Sequence, residues 1–225
     1  MDIFSLKAAQ CAAVCASTDD QRPTLTAVVG LDGDTWIATD SYRLAMCHDN
    51  GAAFLAPGAL VGHVDALYRD ESYKAVVPAK ALAAYAKRAK VGSHSVNVDG
   101  NVGTLSNNAD GLTPGSMVET LRFDAIHCEY PNVSRLINSA TPELRFMDDS
   151  RPAFNAEYLT MFAKMSKFAC GKTMASSETS DYAWTFHGGT AESNSKPTYW
   201  AAVSGDITMV VLFMPTKASE IARAW

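Results

Sequence analysis

Residues able to do chemistry occur in this sequence in several small groups. His63 and Asp65 flank Val64, His187 is followed at a distance by Ser204 and Asp206, Asp148 and Asp149 are adjacent carboxylates, and His127 precedes Cys128. Nucleophilic catalysis would need a serine or cysteine within hydrogen-bond reach of a base that a third group orients. None of these residues sits in a nucleophile elbow, and the sequence has no GxxxxGK[ST] phosphate loop and no HExxH zinc motif. His127 and Cys128 are neighbours on an expected strand and so point to opposite faces. Gly188-Gly189 reads as a hairpin turn. Cys11 and Cys15 are four apart on an expected helix, a spacing that suits a metal, but no histidine or second pair accompanies them. They read as small buried side chains. No catalytic residue, metal or cofactor is expected.

With 225 residues, 48% of them hydrophobic, the chain can bury a core as one large or two ordinary domains. No apolar run approaches the roughly 20 residues that span a bilayer. The first ten residues lack a basic stretch followed by an apolar one, so a cytoplasmic location is expected, and five cysteines without a CxxC pair fit a reducing compartment. A formal charge of −5 excludes a broadly basic nucleic-acid binder, so any contact with DNA must come from a local arrangement.

The elements that would position functional residues centre on positions 22–47. Residues 25–30 and 35–39 read as strands around the turn Asp32-Gly33-Asp34, and 42–47 as a third strand after Asp40-Ser41. The last corner holds Arg43 between apolar residues, where it needs a fixed partner. Before this meander lie a strand over 2–6 and a helix of small residues over 7–16. The pattern repeats with a strand at 73–77, a helix at 79–90 whose face is Leu82, Tyr85, Ala86 and Ala89, and strands near 95–98, 102–106 and 118–127. A short helix at 59–67 lies between the two. A third unit has a strand at 151–155, a helix at 156–169 with Tyr158, Leu159, Phe162, Ala163 and Phe168 as its apolar face, and strands at 182–186, 198–203 and 207–214. The tail, 217–225, is short and amphipathic.

Three stretches, in order, resemble the β sliding clamp of bacterial DNA polymerase III. Arg22 and Leu25 followed by Ala38-Thr39-Asp40-Ser41-Tyr42-Arg43-Leu44-Ala45 are similar to that family's RPVLTG and ATDGHRLA. The run Tyr130-Pro131-Asn132-Val133-Ser134-Arg135-Leu136-Ile137 is similar to YPDYRRVIP, and Val211-Leu212-Phe213-Met214-Pro215 to a C-terminal VVMP strand. The resemblance implies an α+β DNA clamp fold of repeated β-α-β-β-β units, with helices lining a central hole and sheets outside. Residues 1–138 would be a complete two-unit domain like the family's middle one, and 139–225 half of a last domain.

The resemblance further implies a groove for a short hydrophobic peptide of the polymerase and other clients. Carried over one at a time, its positions are Arg22, Leu25, Thr39, Ser41, Tyr42, Arg43, Leu44, Pro131, Arg135, Leu136, Leu212, Phe213, Met214, Pro215 and Thr216. Ser41-Tyr42 stands where the family has Gly-His, and Val133 and Ser134 replace Tyr and Arg. The lysines and arginine of the helices, Lys7, Lys80, Lys87, Arg88, Lys90, Lys164, Lys167 and Lys172, would face duplex DNA, held by charge without sequence preference. The function implied is that of a ring-shaped processivity factor placed on DNA by a clamp loader, with no activity of its own. A clamp-like decoy that binds a cellular clamp or its clients is the alternative. Clamps of this kind close a ring of twelve units. Three units per chain make a homotetramer, two dimers of paired third units joined through their first units; a trimer is the rival. A short chain suggests a bacteriophage version.

Overall fold

The computed structural model describes residues 2–51, 55–69, 75–89, 92–108, 119–127, 130, 131, 133, 134, 137, 156–171, 183–187 and 198–213. The expected strand at 151–155, the tail 217–225, and Cys128, Asp148, Asp149, Gly188 and Gly189 lie outside them.

The chain begins with β1 (Asp2–Phe4) and α1 (Leu6–Ala13), whose start is capped by Ser5: its hydroxyl accepts from the Ala8 amide. A single 3₁₀ turn (Pro23–Thr26) leads into the meander β2 (Ala27–Gly30), β3 (Thr35–Thr39) and β4 (Arg43–Asp49). Then come α2 (Pro57–Arg69), β5 (Ala75–Pro78), α3 (Ala79–Ala86), β6 (Ser93–Asp99), β7 (Val102–Asn108) and β8 (Thr120–Asp124). The last described elements are α4 (Ala156–Cys170), β9 (Thr185–His187), β10 (Thr198–Ser204) and β11 (Ile207–Phe213).

Two antiparallel sheets result, ordered β1-β6-β7-β8 and β5-β2-β3-β4-β11-β10-β9. The first strands of units one and two are exchanged: β1 pairs with β6, and β5 with β2. Each unit therefore completes the other's sheet. The third unit adds its strands to the first, because β11 pairs with β4 over the full length of both, from Ile207 opposite Asp49 to Phe213 opposite Arg43. The outer edge of the first unit is thus filled from within the chain. It cannot be the edge through which chains join, as the unit count alone suggested; among the described residues the end strands are β1 and β8 of one sheet and β5 and β9 of the other.

The seven-stranded sheet is buried on both faces, and strict alternation decides which side chain faces where. One face carries Val28, Trp36, Ala45, Cys47, Val211 and Phe213, packed against α1, α3 and α4. Alanines at 8, 9 and 12 let α1 lie close to the sheet and to both neighbouring helices. The other face carries Val29, Ile37, Leu44, Met46, Val210 and Leu212 under Leu60, Val64 and Tyr68 of α2 and under Tyr130, Val133 and Ile137. Helix α2 is pinned at both ends. The Asn50 amide donates to Thr208 (2.7 Å) and accepts from the Leu55 N–H (2.8 Å), while the Tyr68 hydroxyl reaches the carbonyls of Tyr130 (3.0 Å) and Pro131 (2.7 Å).

Helices α3 and α4 differ from expectation in ways that bear on which residues they present. The α3 helix stops at Ala86, so Lys87 and Arg88 stand in the turn after it, where the Arg88 and Ala89 amides still bond the Tyr85 carbonyl. In α4 the buried face is Met161, Phe162, Met165, Ser166 and Ala169, whereas Leu159, Ala163 and Phe168 are exposed. Flexible methionines, not the larger aliphatic stripe, fit the narrow space against α1: Cys15 Sγ lies 3.9 Å from Met161 Sδ, and Cys11 Sγ contacts the Met165 carbonyl. Phe162 then stacks against Trp184, Trp200 and Phe213.

Candidate functional site

The corner between β3 and β4 is built by its own polar side chains. Asp40 Oδ1 accepts from the amides of Tyr42 (2.9 Å) and Arg43 (2.8 Å), and Thr39 Oγ1 donates to the Arg43 carbonyl (2.6 Å) while accepting from the Ser41 amide. Ser41 is held at φ +80°, a conformation that favours glycine. Arg43 has the fixed partner expected of it: Asp40 Oδ2 lies 2.8 Å from Nε and 2.6 Å from Nη2. Its Nη1 lies 3.6 Å from Met161 Sδ of α4.

The β4–β11 pairing then brings together residues that are far apart in sequence. Leu44 stands opposite Leu212 and Arg43 opposite Phe213, and the Tyr130–Pro131 segment is held over this seam by Tyr68. The implied peptide positions divide into three sets. Leu25, Thr39, Leu44, Leu212 and Phe213 are buried; Arg43 is half-buried; Arg22, Ser41, Tyr42 and Pro131 are exposed. They also divide by face, with Leu44 and Leu212 under α2 and Arg43 and Phe213 on the side of α4. Arg135, Leu136, Met214, Pro215 and Thr216 lie outside the described residues. Helix α2 is the component that sequence reasoning underrated: it is longer than expected and lies over β4, β10 and β11. Its Leu60, Val64 and Tyr68, spaced four apart, were the available signal.

The basic side chains of the helices are on the surface. Lys7, Lys80, Lys87, Arg88, Lys164 and Lys167 are all exposed, and Lys80 pairs with Asp20 at 2.7 Å. Lys90 and Lys172 lie outside the described residues.

The enzyme-like groups come apart. His63 Nε2 lies 3.1 Å from Asp32, while Asp65 pairs with Arg69 at 2.6 Å, so the two are not a dyad. His187 stands opposite Tyr199, five residues along β10 from Ser204, a separation of roughly 17 Å. Cys11, Cys15 and Cys47 are free and buried, and burial pushes their thiols up, that of Cys15 to about 12. Such thiols are inert. Among the described residues no cluster of three or more His, Cys, Asp or Glu is placed to hold a metal, and no helix is long and apolar enough to cross a membrane.

No family model matches the chain, and no curated protein matches it in sequence. Its structure does find likenesses. The Helicobacter pylori β clamp, solved in complex with diflunisal, is 12% identical with a TM-score of 0.55, over 96% of this chain and 66% of that one. The DNA polymerase III β subunit of Thermotoga maritima (12% identical, TM-score 0.51) and the sliding clamp of Pseudomonas aeruginosa bound to griselimycin (11%, 0.51) each match over 94% of this chain and 63% of theirs. The chain has the fold of the β sliding clamp. It spans just under two thirds of the length of these clamps.

Proposed function

We propose that this protein is a DNA sliding clamp, a ring that encircles duplex DNA and tethers a replicative polymerase without chemistry of its own. The observation that carries the reading is the convergence at one seam of three separate segments, 39–44, 130–131 and 211–213, each similar to a clamp segment. Clients would dock there through a short hydrophobic peptide, an interaction that needs apolar pockets flanked by a few polar anchors. Arg22, Ser41, Tyr42 and Pro131 form the accessible part of that site. Duplex DNA would pass the helix side, where Lys7, Lys87, Arg88, Lys164 and Lys167 offer sequence-independent charge.

Residues 1–138 act as one complete domain and 139–225 as half of another, completed by the same half of a second copy. In support, β9 ends its sheet and Leu159 of α4, 50% exposed, projects from the neighbouring helix. Three units per chain then make four chains to a ring, with three chains as the rival count. A clamp loader and a place at the replication fork of a bacterium or an infected cell belong to the same reading.

Retention on nicked circular DNA tests it. A closed ring stays on the circle and leaves once the circle is cut. A protein indifferent to circularity would be a decoy that binds clamps or their clients, a reading favoured by one observation: α2 and its neighbours leave Leu44 and Leu212 without open surface.

A further inference from the structure

An open cavity of about 460 Å³ lies between the start of α1, the ends of α3 and α4, and the beginning of β6. None of the peptide positions lines it. Its inner polar groups are few and fixed, as a small-molecule site requires. Asp49 Oδ2 accepts from the Ser5 hydroxyl (2.6 Å), and no group among the described residues bonds Oδ1. His94 is 9% exposed, and burial holds its pKa below the ordinary value, so the ring is neutral at pH 7. Its Nδ1 lies 2.9 Å from the Tyr85 hydroxyl, which has no other acceptor among the described residues. A buried hydroxyl donates to the acceptor it has, so Nδ1 accepts and Nε2 carries the ring proton.

We propose that this cavity binds a guanine nucleotide, with Asp49 and His94 reading the edge of the base. That edge presents an acceptor, O6, beside two donors, N1–H and N2–H. His94 Nε2–H supplies the donor and the Asp49 carboxylate the acceptor that it needs. Adenine carries a donor at N6 and an acceptor at N1, the reverse pattern, and leaves both side chains unmatched. Phe168, 38% exposed at the end of α4, gives the base a face to stack on.

The charges around the cavity agree. Lys7 lines it, Lys87 and Arg88 stand between the lining residues Ala86 and Ala89, and Lys164 lies one turn before Phe168 on the same side of α4. All four are exposed, and no ion pair holds them among the described residues. The inner carboxylate repels a bare phosphate, and the outer cations repel a simple amine. A molecule with a donor edge and an anionic tail satisfies both. The nucleotide is either free or an unpaired guanine of a DNA strand, since the chemistry recognised is the same. The site uses none of the seam and holds whether or not the chain closes a ring.

The test is calorimetric titration of the full chain with GDP and ADP, beside fluorescence anisotropy with two labelled single strands, an all-dC oligomer and the same oligomer carrying one dG. The guanine ligand binds about tenfold or more tightly than its counterpart, because the wrong base leaves polar groups unpaired. F168A, a change at an exposed residue, weakens it about tenfold by removing the stack. D49N weakens it as much and gains affinity for xanthosine diphosphate, whose C2 oxygen takes the N–H that the new amide offers; an aspartate with a structural role alone would not exchange the two ligands. Circular dichroism checks that each variant keeps the fold. A preference for GDP with equal binding of the two strands assigns the site to a free nucleotide, and a preference for the dG strand that responds to the same variants assigns it to DNA. Equal binding within both pairs overturns the proposal, as does guanine affinity unchanged in F168A or a D49N variant that shows no exchange. Retention on nicked circles is read separately, so the clamp reading stands or falls without it.

Discussion

Leu44 and Leu212 stand directly opposite each other across the β4–β11 pair, at 0% and 1% exposure, though more than half the chain separates them. They are therefore structural before they are anything else. Leu44→Ala should cost about 2–5 kcal/mol by leaving a cavity beneath α2. Tyr42→Ala, at a residue 61% exposed, should change stability by no more than about 0.5 kcal/mol. If the seam binds client peptides, Tyr42→Ala should nonetheless weaken a labelled peptide of glutamine, leucines and an aromatic residue, read by fluorescence anisotropy. Unchanged affinity would remove Tyr42 from the site.

Ser41 sits at φ +80° in the corner that Asp40 and Thr39 hold together. Ser41→Gly should stabilise the protein by about 1 kcal/mol, because glycine adopts this conformation without strain. Urea denaturation measures it; a loss of stability would mean that the hydroxyl outweighs the backbone.

Lys87, Lys164 and Lys167 are exposed on the helix side, and no ion pair holds them among the described residues. Changing all three to Glu should weaken DNA retention and reduce the steepness of its salt dependence by about 0.9 in log–log slope for each phosphate that is no longer neutralised. Peptide affinity and melting temperature should stay put. An unaltered salt slope would return these lysines to ordinary surface.

Asp32 joins α2 to the β2–β3 turn. Burial works against its ionisation, but bonds from the Thr35 hydroxyl and amide, the Asp34 amide and His63 outweigh that and hold the carboxyl below its usual value. A carboxylate with a depressed folded value adds stability in full above the unfolded value of about 3.9, and loses it as pH falls through the folded one. Asp32→Asn should therefore lower stability at neutral pH and flatten its decline in acid. Parallel acid limbs for the two proteins, in urea titrations from about pH 6 to 2, would contradict this.

Gly103 lies beneath the ring of Phe123, which a Cβ would overlap. Gly103→Ala should cost about 1–3 kcal/mol by lifting that ring and disturbing the β7–β8 pair. Thermal denaturation would detect it, and a neutral result would show that Phe123 has room to turn away.

The sequence by itself determined what depends on neighbours along the chain. Alternating apolar residues with Asp32-Gly33 and Asp40-Ser41 at the turns made the meander legible, and the Leu82, Tyr85 and Ala89 spacing gave the buried face of α3, because strand and helix periods are set by local backbone geometry. Arg43's need for a partner was legible for the same reason. What only the tertiary structure decided is what depends on which surfaces meet. The face that α4 buries, the filling of the β4 edge by β11, and the covering of Leu44 and Leu212 by α2 all follow from contacts between segments remote in sequence, where many pairings satisfy the same apolar pattern and shape selects one.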